Sequence, residues 1–320
     1  MASSTRDIRR RIKSINNTRK ITRAMEMVSA AKMRRAVASV LGIRPYAHSA
    51  WSVLTNLARA FREEYGKGLL AVREVKSVLV IVITSNRGLC GSFNAQIMKK
   101  VRDEINNPKR LKINRVGERK IESGISDADL NIDFITIGKK GEMLIRKMSR
   151  EIVATFPELT YLPKIEDVRG VSKIVIDDYL SKKYDKVVIA YTDYVSAIVQ
   201  EPKIRQLLPI SKIDLEKQIA EMDSHAKEFG LKQPKTEYKV EPDPVTVLDH
   251  IFPRLIEMQI YHAILESNAS KESATMVAMR NATDAAGEMS DSLTLAYNQI
   301  RQMKITQEIA EISAGRAALE

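Results

Sequence analysis

The chain has 320 residues, of which 44% are hydrophobic, 29% charged and 5% aromatic, with 13 Met and a net charge of +12. That length admits one large domain or two ordinary ones, and that composition excludes a disordered chain. The single cysteine, Cys90, excludes an internal disulfide and fits a reducing compartment. No run approaches the ~18 apolar residues of a membrane span, so a soluble chain with no direct membrane insertion is expected.

The first 60 residues read as a long helix. Ile8, Ile12, Ile15, Ile21, Met25 and Val28 recur mostly at steps of three and four and define one apolar stripe. Ser4 can cap its start, with Asp7 three positions on. Residues 1–35 carry eleven Lys or Arg, Arg9-Arg10-Arg11 among them, against two acids, Asp7 and Glu26. Such a field calls for an acidic partner: nucleic acid, an anionic membrane or an acidic protein surface. Gly42 and Pro45 predict a bend rather than a stop, because Trp51, Leu54, Leu57 and Phe61 resume helical spacing.

From Val75 the period changes. Val78–Ile83 is a continuous branched run, the pattern of a strand covered on both faces. Ser85–Ser92 reads as a loop, Asn94–Ile105 as helix, Leu130–Ile137 as strand and Glu142–Met148 as helix. Lys186–Ala190 reads as strand and Ser196–Leu208 as strand or strand and turn. Strands alternating with helices imply an α/β domain with a parallel or mixed sheet. Residues 211–244 read as a connection, with an amphipathic segment (Ile213–Phe229) and a proline-rich stretch ending in Asp243-Pro244, the form of an N-cap and first helical residue.

Leu255–Ser313 then reads as nearly unbroken helix, roughly 90 Å at 1.5 Å per residue. Met276, Met279, Thr283, Ala286, Ser290, Leu293, Tyr297 and Ile300 step by three and four, a heptad seam. The N-terminal helix is the one partner long enough, so the two ends are expected to wind as an antiparallel coiled coil around an inserted α/β domain. After Ile300 the seam turns polar (Lys304, Gln307, Glu311) and the apolar stripe moves to Ile305, Ile309 and Ile312. The last turns are therefore expected to outrun the N-terminal helix, with Gly315 fraying the end.

Catalytic and ligand motifs are weak. Asn86–Gly91 stands where a phosphate loop would, but lacks both G-x-G-x-x-G spacing and a Gly-Lys-Ser/Thr end. Gly138-Lys-Lys-Gly141 has the form of a KH-type clamp without its flanking helices; both read as structural turns. Cys90 has no histidine near it in sequence, and His48, His225, His250 and His262 show no metal-ligand spacing. No catalytic, cofactor or metal residue is assigned.

Four segments carry a resemblance. Lys20-Ile-Thr-Arg-Ala-Met-Glu-Met-Val28, Ser85-Asn-Arg-Gly-Leu-Cys-Gly91, Glu266-Ser-Asn-Ala-Ser270 with Met276-Val-Ala-Met279 and Asn281–Asp284, and Tyr297–Glu308 resemble, in order, the signatures of gamma subunits of bacterial-type F-type ATP synthases. The match is close at both ends and loose in the middle. The resemblance implies a coil of residues 1–65 and 245–320, a Rossmann-like α/β domain over 72–210 and a connecting segment, 211–244, longer than in the simplest bacterial members. It implies a non-enzymatic rotor that couples proton-driven c-ring rotation to ATP synthesis or hydrolysis, held peripherally on the cytoplasmic face of the bacterial plasma membrane. Its partners would be alpha, beta and epsilon subunits and the c-ring. Arg9, Met25, Arg301, Gln302, Thr306 and Glu308 would contact beta subunits, and Ile309, Ile312 and Leu319 would form a bearing tip. The chain lacks the cysteine pair of redox-gated chloroplast versions. A nucleic-acid-binding coiled-coil protein is the alternative, against which stands the lack of aromatics between the N-terminal charges.

Overall fold

The structure, a computed structural model, describes residues 5–60, 68–116, 119–127, 129–157, 162–210 and 244–317. Ser4, Leu319 and the segment Ile213–Phe229 lie outside these residues. The chain divides into two compact units: residues 32–274, and residues 1–31 with 275–320.

The larger unit is built on one sheet. Its strands are β1 (Ser77–Ile83), β4 (Asn131–Ile137), β5 (Ile152–Phe156), β6 (Lys186–Tyr194) and β7 (Gln200–Leu208), in the order β5-β4-β1-β6-β7. β1 pairs parallel with β4 and β6, β4 parallel with β5, and β6 antiparallel with β7. The branched run of β1 becomes the central strand because both of its faces are covered. On one face Val78, Val80, Val82 and Phe134 pack against α2 (Phe93–Asn106) and α3 (Lys139–Lys147) through Ile97, Val101 and Ile145. On the other, Leu79, Ile81 and Ile189 meet Val168, Val171, Val175 and Tyr179 of α4 (Ile165–Leu180) and Leu255, Ile256 and Ile260 of the C-terminal helix. Alternate β1 residues thus feed two cores, as the period of two requires.

A small antiparallel ribbon, β2 (Ile113–Val116) with β3 (Arg119–Glu122), completes this unit. The ribbon, β5 and α4 are elements that the sequence reading leaves unassigned. The other expected elements of this unit's sheet and its flanking helices are found with ends moved by a few residues; β6 runs on to Tyr194 and β7 begins at Gln200.

The two long helices are α1 (Thr5–Ala60) and α5 (Pro244–Ala317). α1 continues through Gly42 and Pro45, and α5 opens on Pro244, the proline at a first helical position that needs no N–H partner. α5 also runs past Gly315 to Ala317, so the fraying expected there is not found.

In the smaller unit α1 and α5 lie antiparallel. Ser290 Oγ donates to Asn16 Oδ1 at 3.1 Å, a Cβ on Gly287 would stand 3.5 Å from the Arg19 guanidinium, and the Thr283 and Thr22 hydroxyls meet at 2.8 Å. Numbers rise on one helix as they fall on the other. The α5 seam is as expected, with Met279, Thr283 and Ser290 buried. The α1 stripe is corrected: Ile21 and Val28 are 60% and 53% exposed, while Thr22 and Ser29 are 9% and 5% exposed. Small side chains replace the branched ones at the seam because they let the backbones approach until hydroxyls pair across it. Ile8 is buried and Met25 half-buried.

Candidate functional site

The loops at the carboxyl ends of β1 and β4 are where an open α/β sheet would hold a ligand. Here they brace one another. Asn94 of α2 accepts from Ser85 N through Oδ1 at 3.0 Å and donates through Nδ2 to Ser85 Oγ at 2.7 Å and Cys90 Sγ at 3.2 Å. Gly141 N donates to Thr84 Oγ1 at 2.7 Å, and Lys139 N donates to Asn86 Oδ1 at 3.0 Å. Gly138 has φ +100°, and a Cβ there would stand 2.3 Å from the Thr84 carbonyl oxygen. The glycines serve the close passage of two loops, and the loop's polar groups are spent on each other. Cys90 is buried inside this brace. Among the described residues no group of three His, Cys, Asp or Glu could hold a metal, and no helix is long and apolar enough to cross a membrane.

The free end of α5 is different. Every residue from Arg301 to Arg316 is exposed, and Ile305, Ile309 and Ile312 are 49%, 59% and 73% exposed. The cause is the register of the coil: Asn16 opposite Ser290 and Arg19 opposite Gly287 place Thr5, the first described residue of α1, level with Arg301. From there α5 has no described helix beside it.

At 100° per residue, Glu308, Arg301, Ile312, Ile305, Ile309, Gln302 and Thr306 follow one another around roughly 160° of the α5 surface. An isoleucine stripe therefore runs between two polar borders, Arg301 with Glu308 and Gln302 with Thr306. Gln302 and Thr306 also line a shallow groove with Gln299, Met303, Gln307 and Ala310. The expected polar contacts and the expected bearing residues Ile309 and Ile312 share one face.

Arg9 is exposed, and the same register sets it level with Tyr297, one turn from Arg301. Met25 does not join this group: it comes level with Asn281, about 30 Å down the coil from Arg301 at 1.5 Å per residue. The candidate residues thus form two sites. Around the Met25 level, Met27 adds exposed apolar surface, as do Ile21 and Val28, which the expected stripe turns inward. The basic residues Arg6, Arg9, Arg10, Arg11, Lys13, Arg19, Lys20 and Arg23 are all exposed, with Arg23 paired to Glu26 at 2.9 Å. Sequence reasoning missed Thr22 and Ser29 as the α1 seam; their signal was the seven-residue spacing they share with Ile8, Ile15 and Ala36, small and polar where an apolar stripe was sought.

The family described as ATP synthase matches residues 4–319. The ATP synthase gamma chain of Legionella pneumophila (strain Corby) is 36% identical over 317 residues, covering 99% of this chain and 100% of the relative. That of Roseiflexus castenholzii is 41% identical over 318 residues, covering 99% and 98%. Among solved structures, a chain of the Euglena gracilis mitochondrial ATP synthase, in a structure of OSCP, F1 and c-ring, shares the fold with a TM-score of 0.61 at 17% identity, over 98% of this chain and 94% of that one.

Proposed function

The chain belongs to the ATP synthase gamma chain family, and from that premise we propose that it is the central shaft of the complex, turned by the c-ring and driving the catalytic beta subunits. The observation that carries the reading is the exposed end of α5: a lone helix, continuing from a two-helix coil, with an apolar stripe between polar borders. Two wound helices resist torsion. A single helix with one distinctive face is asymmetric, and three chemically identical beta subunits can occupy different states only around an asymmetric partner.

The roles divide between the two sites. Arg301, Gln302, Thr306 and Glu308, with Arg9 one turn away, make the upper polar contacts with a beta subunit, and Ile309, Ile312 and Leu319 turn as a bearing. Met25 and the exposed arginines of α1 face acidic beta-subunit surface lower down. Such contacts are remade at every step, so they must be modest and screened rather than buried ion pairs. The chain itself performs no catalysis. The epsilon subunit and the c-ring hold the α/β unit at the cytoplasmic face of the membrane.

Isolation of the native complex tests the reading. It predicts one copy of the chain per hexamer of alpha and beta subunits, together with epsilon and the c-ring. Recovery of the chain with nucleic acid and without alpha and beta subunits contradicts it.

A further inference from the structure

A pair of carboxyls lies away from the coil, where the β6–β7 hairpin packs on α5. Glu266 of α5 is only 8% exposed, and its Oε2 meets no hydrogen-bond partner. Asp193, near the end of β6, forms an ion pair with Lys203 of β7. The two carboxyls lie within hydrogen-bonding reach of each other. Among the described residues, the charged and titratable groups facing Glu266 are Asp193 from β6, Lys203 and Arg205 from β7, and His262 on its own helix, whose Nδ1 is 3.6 Å from Oε1.

The same face of α5 grips the hairpin again two turns on. Ser273 Oγ donates to the Ala197 carbonyl at 2.5 Å, and Gln200 Nε2 donates to Ser273 Oγ at 3.3 Å. Ser196 closes the hairpin turn, its Oγ accepting from Val199 N at 3.0 Å. The hairpin is therefore clamped to α5 at two levels, one built from hydroxyl and amide groups and one from carboxyls.

Two adjacent carboxylates, Glu266 buried and Asp193 half-buried, repel, and the stable state of such a pair holds one proton between them. Its location follows from the cations. Burial pushes Asp193 up, but the Lys203 ammonium, with Arg205 behind it, outweighs burial and holds the carboxyl below its usual range. Burial first, and the Asp193 charge second, push Glu266 up to about 8, the pull of Arg205 notwithstanding.

We propose that Glu266 carries a proton in the folded chain and uses it to latch the β6–β7 hairpin to α5, its O–H donating to the Asp193 carboxylate, and that loss of this proton loosens the hairpin. The latch is independent of the rotary role: it concerns how the α/β unit holds its last hairpin on the long helix. The linkage has a definite sign. The folded chain keeps a proton that the unfolded chain gives up near 4.5. The latch's stabilisation is therefore complete below that value, declines as pH climbs, and is gone above about 8.

The test uses the full chain and its Glu266→Gln variant, in which an uncharged amide N–H replaces the acid O–H as donor. Hydrogen-exchange protection of residues 186–208 is compared at about pH 6 and about pH 9, values that bracket the titration. Wild-type protection is expected to fall by about tenfold or more, the equivalent of one unit of linkage, and the variant's to change by less than about twofold on the same scale. Equal losses in the two proteins overturn the proposal. Should Glu266→Gln fail to fold, infrared spectra of the wild-type chain, unlabelled and labelled with ¹³C-glutamate, decide the matter. A protonated glutamic acid band that survives neutral pH and disappears near 8 supports the latch, and its absence at neutral pH overturns it.

Discussion

Gly138 and Arg301 mark two kinds of residue in this chain, one required by the fold and one proposed to serve what the fold meets. Gly138 combines a left-handed backbone with a Cβ position 2.3 Å from the Thr84 carbonyl oxygen. Gly138→Ala is expected to cost more than about 3 kcal/mol, because strain and a backbone clash add; thermal unfolding of the chain measures it. Arg301 touches nothing that the fold needs. Arg301→Ala with Gln302→Ala is expected to leave the complex assembled and to lower its ATP turnover, at about 1 kcal/mol per lost hydrogen bond and somewhat more for the charge. Turnover of the assembled double variant equal to wild type would count against the contact. At this scale the sequence was unevenly legible. Arg301 and Gln302 stand out by resemblance and by the polar turn of the seam after Ile300. The need for Gly138 depends on Thr84, more than fifty positions away, and no local pattern announces it. Glu266 lies in a segment that carries the family resemblance, but its burial beside Asp193 depends on how the β6–β7 hairpin packs on the helix.

The elements that read clearly are those whose pattern is set by their own burial. β1 is apolar throughout because helices cover both faces, and α5 shows its seam over seven turns. β5 reads poorly because Ile152–Phe156 is only half-buried at the sheet's edge. α4 was available in the spacing of Val168, Val171, Val175 and Tyr179, though Gly170 and paired acids at its end obscure it. The ribbon β2–β3 is four residues long on each side, too short for periodicity to show. In α1 the periodicity itself misled, since Ile21 and Val28 face outward while Thr22 and Ser29 pack. For the end of α5, the exposed isoleucines give a direct expectation. Truncation after Gly315 should leave torque and assembly yield unchanged, and truncation before Ile309 should lower one or both. Single-molecule rotation and complex yield check this; unchanged values in both truncations would remove the bearing role.

At the scale of the molecule, the two contact levels about 30 Å apart along the coil imply separable functions. On the proposed reading the upper level meets a beta subunit through hydrogen bonds that tolerate small changes, and the lower one presents Met25 beside exposed arginines. Met25→Lys adds a charge to a proposed contact that must break at each step. It is expected to reduce ATP-driven proton pumping more than ATP hydrolysis in membranes, with assembly preserved; a proportional fall in both rates would contradict the coupling assignment. The central claim, that this chain turns inside its complex, is tested most directly by watching it turn. With the alpha and beta subunits fixed to a surface and a probe attached to an exposed residue of the α/β unit such as Lys99→Cys, with Cys90→Ser to remove the native thiol, ATP hydrolysis should drive continuous rotation in one direction. Hydrolysis at the wild-type rate with the probe stationary would contradict the account.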